Sequence, residues 1–228
     1  MLGKDSKLSL IKWWCGGLLR AFNIEVTVSG NVPPSSTKGV MFIANHVSWA
    51  DIHALNSKIP LRFIAKAEIR NWPIFGYLAY KANPLFIDRS KKQVAGKIVG
   101  VTTASLKEGD NLCFFPEGTT TDGTQVLNFK SSVLQAAINA NALIWPVAIR
   151  YPNSDGSINT KMAYAGDTGL VESMQQIISL KNASVELHFL APISASNQNR
   201  RDLTQQAYDV ITAKLALPPH RAHHVEFE

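Results

Sequence analysis

Asn45-His46-Val47-Ser48-Trp49-Ala50-Asp51 places an imidazole and a carboxylate five positions apart, just beyond the apolar run of residues 40–44. A neutral imidazole, with an ordinary pKa of about 6.5, can take a proton from an alcohol as that alcohol attacks a carbonyl. A carboxylate on the other ring nitrogen fixes the tautomer and stabilises the imidazolium that forms. On one continuous helix two residues five apart diverge by about 140°. Ser48, however, reads as a helix N-cap with Asp51 as its capping-box acid, so His46 precedes the helix and the chain can fold back on Asp51. Each residue alone also has a structural explanation: Asp51 as a cap, His46 as a donor to a backbone carbonyl. A metal reading that adds His53 lacks the further ligands it needs.

Two more segments bear chemistry. Phe115-Pro116-Glu117-Gly118-Thr119 ends a second apolar run: Pro116 stops the hydrogen-bond ladder and Gly118 permits unusual backbone or close approach of a ligand. Glu117 then either accepts from a substrate hydroxyl or anchors its loop. In Asn83-Pro84-Leu85-Phe86-Ile87-Asp88-Arg89, a short strand runs into charge, and Ser90 with Gln93 forms a capping box. Arg89, Lys91 and Lys92 therefore crowd a helix amino terminus, where the dipole favours anions. A phosphate there would be held by backbone N–H groups, and by the planar fork of Arg89 better than by either lysine. The alternative is a solvated basic corner.

The elements that must position these residues alternate along the chain. Strands are expected at 24–29, 39–44, 61–65, 84–87, 111–115, 143–150 and 184–190. Helices are expected at 49–57, 73–81, 91–107, 131–140, 170–178 and 201–217. Several strands are apolar throughout, as when both faces of a sheet are covered. The pattern predicts a single layered α/β domain over residues 23–228, with a mixed, largely parallel central sheet covered by helices. Gly109 should stop the long helix after Lys107, and Pro218-Pro219 the last one. Residues 153–169 are polar and turn-rich and receive no role, nor does the His-rich C-terminus.

With 228 residues, 46% hydrophobic and 18% charged, the chain can bury a substantial core and is not of disordered composition. The net charge of +6 favours an anionic partner. Nucleic acid is disfavoured, since the cations are dispersed and no helix-turn-helix, zinc-finger or RNA-recognition pattern occurs. Two cysteines, Cys15 and Cys113, make neither a disulfide framework nor a zinc site. Residues 1–22 form an amphipathic segment. Leu8, Ile11, Trp14, Cys15, Leu18, Leu19 and Phe22 share one face of a helical wheel, with Lys4, Lys7, Lys12 and Arg20 about it. It is too short and too charged to span a bilayer, and it lacks a signal-peptide pattern. Two readings stay open: a helix packed on the domain, or an interfacial helix seated on anionic lipid.

Taken together, these segments resemble the 1-acyl-sn-glycerol-3-phosphate acyltransferase family, the lysophospholipid acyltransferases. Four blocks match in order: Asn45-His46 to Asp51 (the His-x4-Asp motif), Phe86 to Arg89, Phe115 to Thr119, and Ile144-Trp145-Pro146-Val147. The resemblance implies that His46 is the general base, Asp51 its orienting partner, and Arg89 the holder of the acceptor's phosphate. It further implies that Glu117, Gly118 and Thr119 shape the acceptor site and that Pro146 helps form the acyl-donor wall. The expected reaction is direct transfer from acyl-CoA or acyl carrier protein to a lysolipid hydroxyl, without acyl-enzyme, cofactor or metal. The acceptor expected first is 1-acyl-sn-glycerol-3-phosphate, giving phosphatidate, at the cytoplasmic face of a membrane on which the protein is peripheral. One departure bears on the acceptor. Many lysophosphatidate-specific members carry an arginine directly after Glu-Gly-Thr, where this chain has Thr120-Thr121-Asp122-Gly123. That looks more like relatives that acylate other lysolipids, including lyso-ornithine lipid, with Lys130 a candidate substitute cation. A non-catalytic lipid-binding protein is the alternative from another class, and it would have no need of the His46–Asp51 pair.

Overall fold

A computed structural model describes residues 4–66, 85–87 and 94–217. Helix α1 (Lys4–Ala21) leads into β1 (Ile24–Gly30) and β2 (Met41–Ala44), then α2 (Ala50–Lys58) and β3 (Arg62–Lys66). After β4 (Leu85–Ile87) come α3 (Val94–Lys107), β5 (Leu112–Phe114), α4 (Leu134–Ala140) and β6 (Leu143–Arg150). A 3-10 turn (Thr160–Met162), α5 (Leu170–Ile178), β7 (Ala183–Phe189), β8 (Ile193–Ser194) and α6 (Arg200–Leu215) complete the order. The expected helix at 73–81, Arg89 and the expected cap at Ser90 lie outside the described residues.

The strands form one sheet in the order β1-β7-β6-β2-β5-β3-β4, with β8 added to β6. Pairing is parallel except where β6 meets β7 and β8, so the mixed, largely parallel sheet is observed. Strand β2 lies between β6 and β5, and its Met-Phe-Ile-Ala run is buried throughout. Both faces there are covered, which is why this strand is apolar without alternation. Met41 and Ile43 point into a core under α3, α4 and α6, whereas Phe42 and Ala44 point into a core under α1, α2 and α5. In β7 burial alternates residue by residue, as in a strand covered on one face.

The α1 stripe predicted from the wheel packs inward. Cys15, Leu19 and Phe22 are buried against α2 and β1, and Trp14 sets its ring edge-on to His53 of α2 at 5.5 Å. Each such fully buried apolar side chain contributes about 1.5–3 kcal/mol, so this face holds the helix to the domain. The opposite side is left bare: Leu10 is 52% and Trp13 69% exposed, beside exposed Lys7, Lys12 and Arg20. No described helix is long and apolar enough to cross a membrane.

Helix α3 ends where Gly109 adopts φ 84°, its N–H donating to the Leu106 carbonyl at 3.0 Å. A side chain would be strained in that left-handed conformation.

Candidate active site

The site is built where β2 runs out. Its pairing with β6 ends at Ala44–Val147, and the Asn45 side chain then continues the ladder. Asn45 Nδ2 donates to the Ile149 carbonyl at 2.9 Å, and its Oδ1 accepts from the Ile149 N–H at 2.8 Å. Beyond it the backbone turns sharply and is tied at every step. The His46 N–H donates to Glu117 Oε1 at 2.6 Å, and the His46 carbonyl accepts from the Thr121 N–H at 2.9 Å. The Val47 carbonyl accepts from the Tyr164 N–H at 2.9 Å.

Asp51 closes the corner. Its Oδ2 accepts from His46 Nδ1 at 2.7 Å, from the Val47 N–H at 2.8 Å and from the Ser48 N–H at 3.0 Å. Its Oδ1 accepts from the Tyr151 hydroxyl at 2.5 Å. The capping-box bond to the Ser48 N–H is thus present. Ser48 Oγ in turn accepts from the Ala50 N–H at 3.4 Å, so Ser48 caps the helix as expected, and Trp49 after it is already in helical conformation. Four donors converge on a wholly buried group, an arrangement that suits a carboxylate acting only as acceptor. His46 Nδ1 therefore carries the proton, and Nε2 presents a lone pair to which no described residue bonds. The ring is 18% exposed. It stacks on Phe115 at 3.9 Å and 8°, and Phe115 stacks in turn on Phe63 at 5.8 Å. An imidazole with one nitrogen anchored, its face packed and the other nitrogen open is set up as a general base.

Glu117 lies within the same corner but points both oxygens at backbone: Oε1 at the His46 N–H and Oε2 at the Leu127 N–H, 2.8 Å away. Burial, augmented by the Asp51 charge, pushes its carboxyl up to about 7 against the pull of those two bonds. Of its two expected roles, the geometry gives it that of loop anchor. Gly118, at φ 76°, turns the loop and Thr119 is exposed at its tip. Pro146 is not brought to His46. It is buried in mid-β6, paired with Ile43, and strand alternation turns it to the sheet face opposite that of Trp145 and Val147, which share the core of Phe115. The exposed Lys130 binds the Pro116 carbonyl only through its backbone N–H, at 3.0 Å.

His53 faces away from this constellation. It meets Cys15 Sγ at 3.6 Å and sits edge-on to Trp14 and Trp49, where burial lowers its pKa to about 4. Burial likewise pushes the Cys15 thiol up to about 12 and the Cys113 thiol well above its usual value. Neither is poised as a thiolate nucleophile.

Two contributors escaped the sequence reading. Tyr151 stands directly after an expected strand, yet nothing in its spacing links it to Asp51, 100 positions earlier. The polar stretch at 153–169 proves to be a strap. Its Tyr164 binds Val47 through the backbone N–H, and its Tyr164 carbonyl accepts from the Thr120 hydroxyl.

The model of the family described as Acyltransferase matches residues 23–150. Over 209 residues the chain is 36% identical to a lyso-ornithine lipid O-acyltransferase of Pseudomonas aeruginosa, covering 91% of this chain and 78% of that protein. It is 35% identical over 201 residues to a 1-acyl-sn-glycerol-3-phosphate acyltransferase of Neisseria meningitidis, covering 88% and 78%. The crystal structure of the 1-acyl-sn-glycerophosphate acyltransferase PlsC from Thermotoga maritima shares the fold. Its TM-score is 0.67 at 21% identity, over 95% of this chain and 83% of that one. A family match over more than half of the chain, joined by relatives of this closeness, shows that the chain belongs to the acyltransferase family, as an enzyme of acyl transfer.

Proposed function

We propose that this enzyme carries a fatty acyl group from a thioester, acyl-CoA or acyl carrier protein, to the free hydroxyl of a lysolipid. The observation that carries the reading is the 2.7 Å bond between His46 Nδ1 and a wholly buried Asp51, which leaves Nε2 to act. As the lysolipid oxygen bonds to the thioester carbon, its proton passes to Nε2. The tetrahedral intermediate then expels the thiolate, which takes that proton back and leaves as thiol, so His46 ends the cycle neutral. Asp51 holds the imidazolium in between.

For the acceptor, the first reading is 1-acyl-sn-glycerol-3-phosphate, the substrate in the name of the Neisseria relative; Arg89 would then hold the phosphate. A second reading, lyso-ornithine lipid, is supported by the Pseudomonas relative and by Thr120. That residue ties its hydroxyl to the Tyr164 carbonyl where a second cation would otherwise stand. For the membrane, the proposal is peripheral attachment at the cytoplasmic side, and the outer face of α1 supports the attachment. Leu10 and Trp13 would enter the headgroup layer while Lys7, Lys12 and Arg20 meet anionic lipid.

The deciding experiment offers the purified enzyme each thioester donor with a panel of lysolipids that includes both acceptors. Transfer to a lysolipid is expected, and His46→Ala should abolish it while circular dichroism stays unchanged. A folded His46→Ala protein with full activity would overturn the assignment of the base.

A further inference from the structure

We propose that Tyr151 is a positioning residue of the reaction, its hydroxyl fixing the plane and charge of Asp51 so that Asp51 presents a neutral, correctly turned His46 to the acceptor. The proposal rests on the reading of His46 as base.

The two oxygens of Asp51 are served very differently. Oδ2 takes three donors, all from the adjoining residues His46, Val47 and Ser48. Oδ1 takes Tyr151 alone among the described residues, at 2.5 Å, from the far end of β6. With Oδ1 bare, a buried carboxylate oxygen would lack a partner, and only the three bonds at Oδ2 would resist a turn about the Cβ–Cγ bond toward one. Any such turn swings Oδ2 away from Nδ1. The phenol itself is well held. Its ring lies in the core beneath α1 and α2, its carbonyl accepts from the Asn159 N–H at 2.8 Å, and the Ser48 hydroxyl bonds its oxygen. Burial and the neighbouring Asp51 charge keep the phenol proton in place well above the ordinary tyrosine range, so Tyr151 donates throughout the cycle.

Charge is the second effect. A hydrogen bond from Tyr151 draws negative charge off Asp51 and so tempers the stabilisation of the imidazolium. Without it, the whole charge of Asp51 bears on the imidazolium; Glu117, bonded to the His46 N–H, faces the same residue and is left in place by a Tyr151 substitution.

Tyr151→Phe keeps the ring and removes only the hydroxyl. It should lower kcat about 10- to 100-fold, the worth of one hydrogen bond to a charged group, with KM for donor and acceptor unchanged, since the buried side chain meets neither. The acid limb of the kcat/KM profile should move to higher pH. In 15N-histidine-labelled enzyme, the Nδ1 proton resonance of His46 should shift or broaden. A role confined to packing would leave the profile and the resonance where they are. Where Tyr151→Phe fails to fold, 3-fluorotyrosine at position 151 serves instead. Its more acidic hydroxyl draws more charge from Asp51, and the acid limb should move to lower pH. If His46→Ala is inactive while the Tyr151 substitution alters neither kcat, profile nor resonance, this proposal fails alone. If folded His46→Ala remains active, the base reading falls and takes this one with it.

Discussion

Replacing Glu117 by glutamine should remove a loss of stability that the parent protein suffers as pH rises from acid to alkaline. Glu117 is 3% exposed and its carboxyl is raised from 4.5 to about 7. The native state therefore keeps a proton that the unfolded chain gives up. Below about 4.5 both states are protonated and the group contributes nothing to the pH dependence. Between 4.5 and about 7 the native state binds more protons than the unfolded one, so the unfolding free energy falls as pH rises. Beyond that window the loss is complete, at about 3 kcal/mol for a displacement of about 2.5 pH units. Glutamine has nearly the shape of the protonated acid. It offers one carbonyl oxygen to one of the two backbone N–H groups, while its NH2 meets the other donor to donor, a cost of about 1–3 kcal/mol that is the same at every pH. Urea unfolding followed by tryptophan fluorescence should show the stability of the variant relative to the parent rising by about 3 kcal/mol between acid and pH 8. The comparison cancels every other titrating group. A relative stability that stays flat from acid to pH 8 would refute the reasoning, since the bonds from His46 and Leu127 would then offset burial. Turnover should fall, because the ionised carboxylate is what grips the His46 N–H. A charge kept at a cost to stability is expected where function needs it.

Asp51→Asn should lower kcat by about 10²- to 10⁴-fold with little change in KM, because an amide cannot hold the imidazolium or enforce its tautomer; steady-state kinetics on a folded variant checks this. Leu10→Ser combined with Trp13→Ser should cut co-sedimentation with anionic liposomes and move the unfolding free energy by less than about 0.5 kcal/mol. Retained sedimentation would take the outer face of α1 out of the membrane contact. Leu19→Ala, on the inner face, should destabilise by about 2–4 kcal/mol in denaturant unfolding. A loss below about 1 kcal/mol would mean that α1 is not part of the cooperative unit.

The parts of this fold that were legible are those written locally. The β6 run at 143–150 and α5 at 170–178 have the expected bounds, because continuous apolar character and a 3.6-residue stripe report directly on burial. The corner between His46 and Asp51 was legible too, as a cap signal following an apolar strand. Two-residue β8 was not, being too short to carry any period. Nor was the placement of β7 between β1 and β6, since strand order is decided by long-range pairing. The site divides along the same line. Asp51's bonds to His46, Val47 and Ser48 span five positions or fewer, whereas its bond to Tyr151 spans 100. Pro146 shows that membership of a recognisable block does not by itself say which face of the sheet a residue takes.

The two faces of α1 also decide which experiment can speak for the membrane. Removing residues 1–22 discards the outer Leu10 and Trp13, but it strips Cys15, Leu19 and Phe22 from the core as well. The Phe22 ring meets Trp49 edge-on at 5.1 Å, and Trp49 binds Ser173 of α5 through its indole N–H at 3.2 Å. Trp49 stands at the start of α2, two positions before Asp51. Truncation would therefore unpack the helix that carries the carboxylate, and lost binding and lost activity would arrive together from one structural cause. Substitutions confined to the exposed stripe separate them: attachment should fall with the serine pair, while turnover of a lysolipid dispersed as monomers should hold, because the inner face and the corner it supports are untouched.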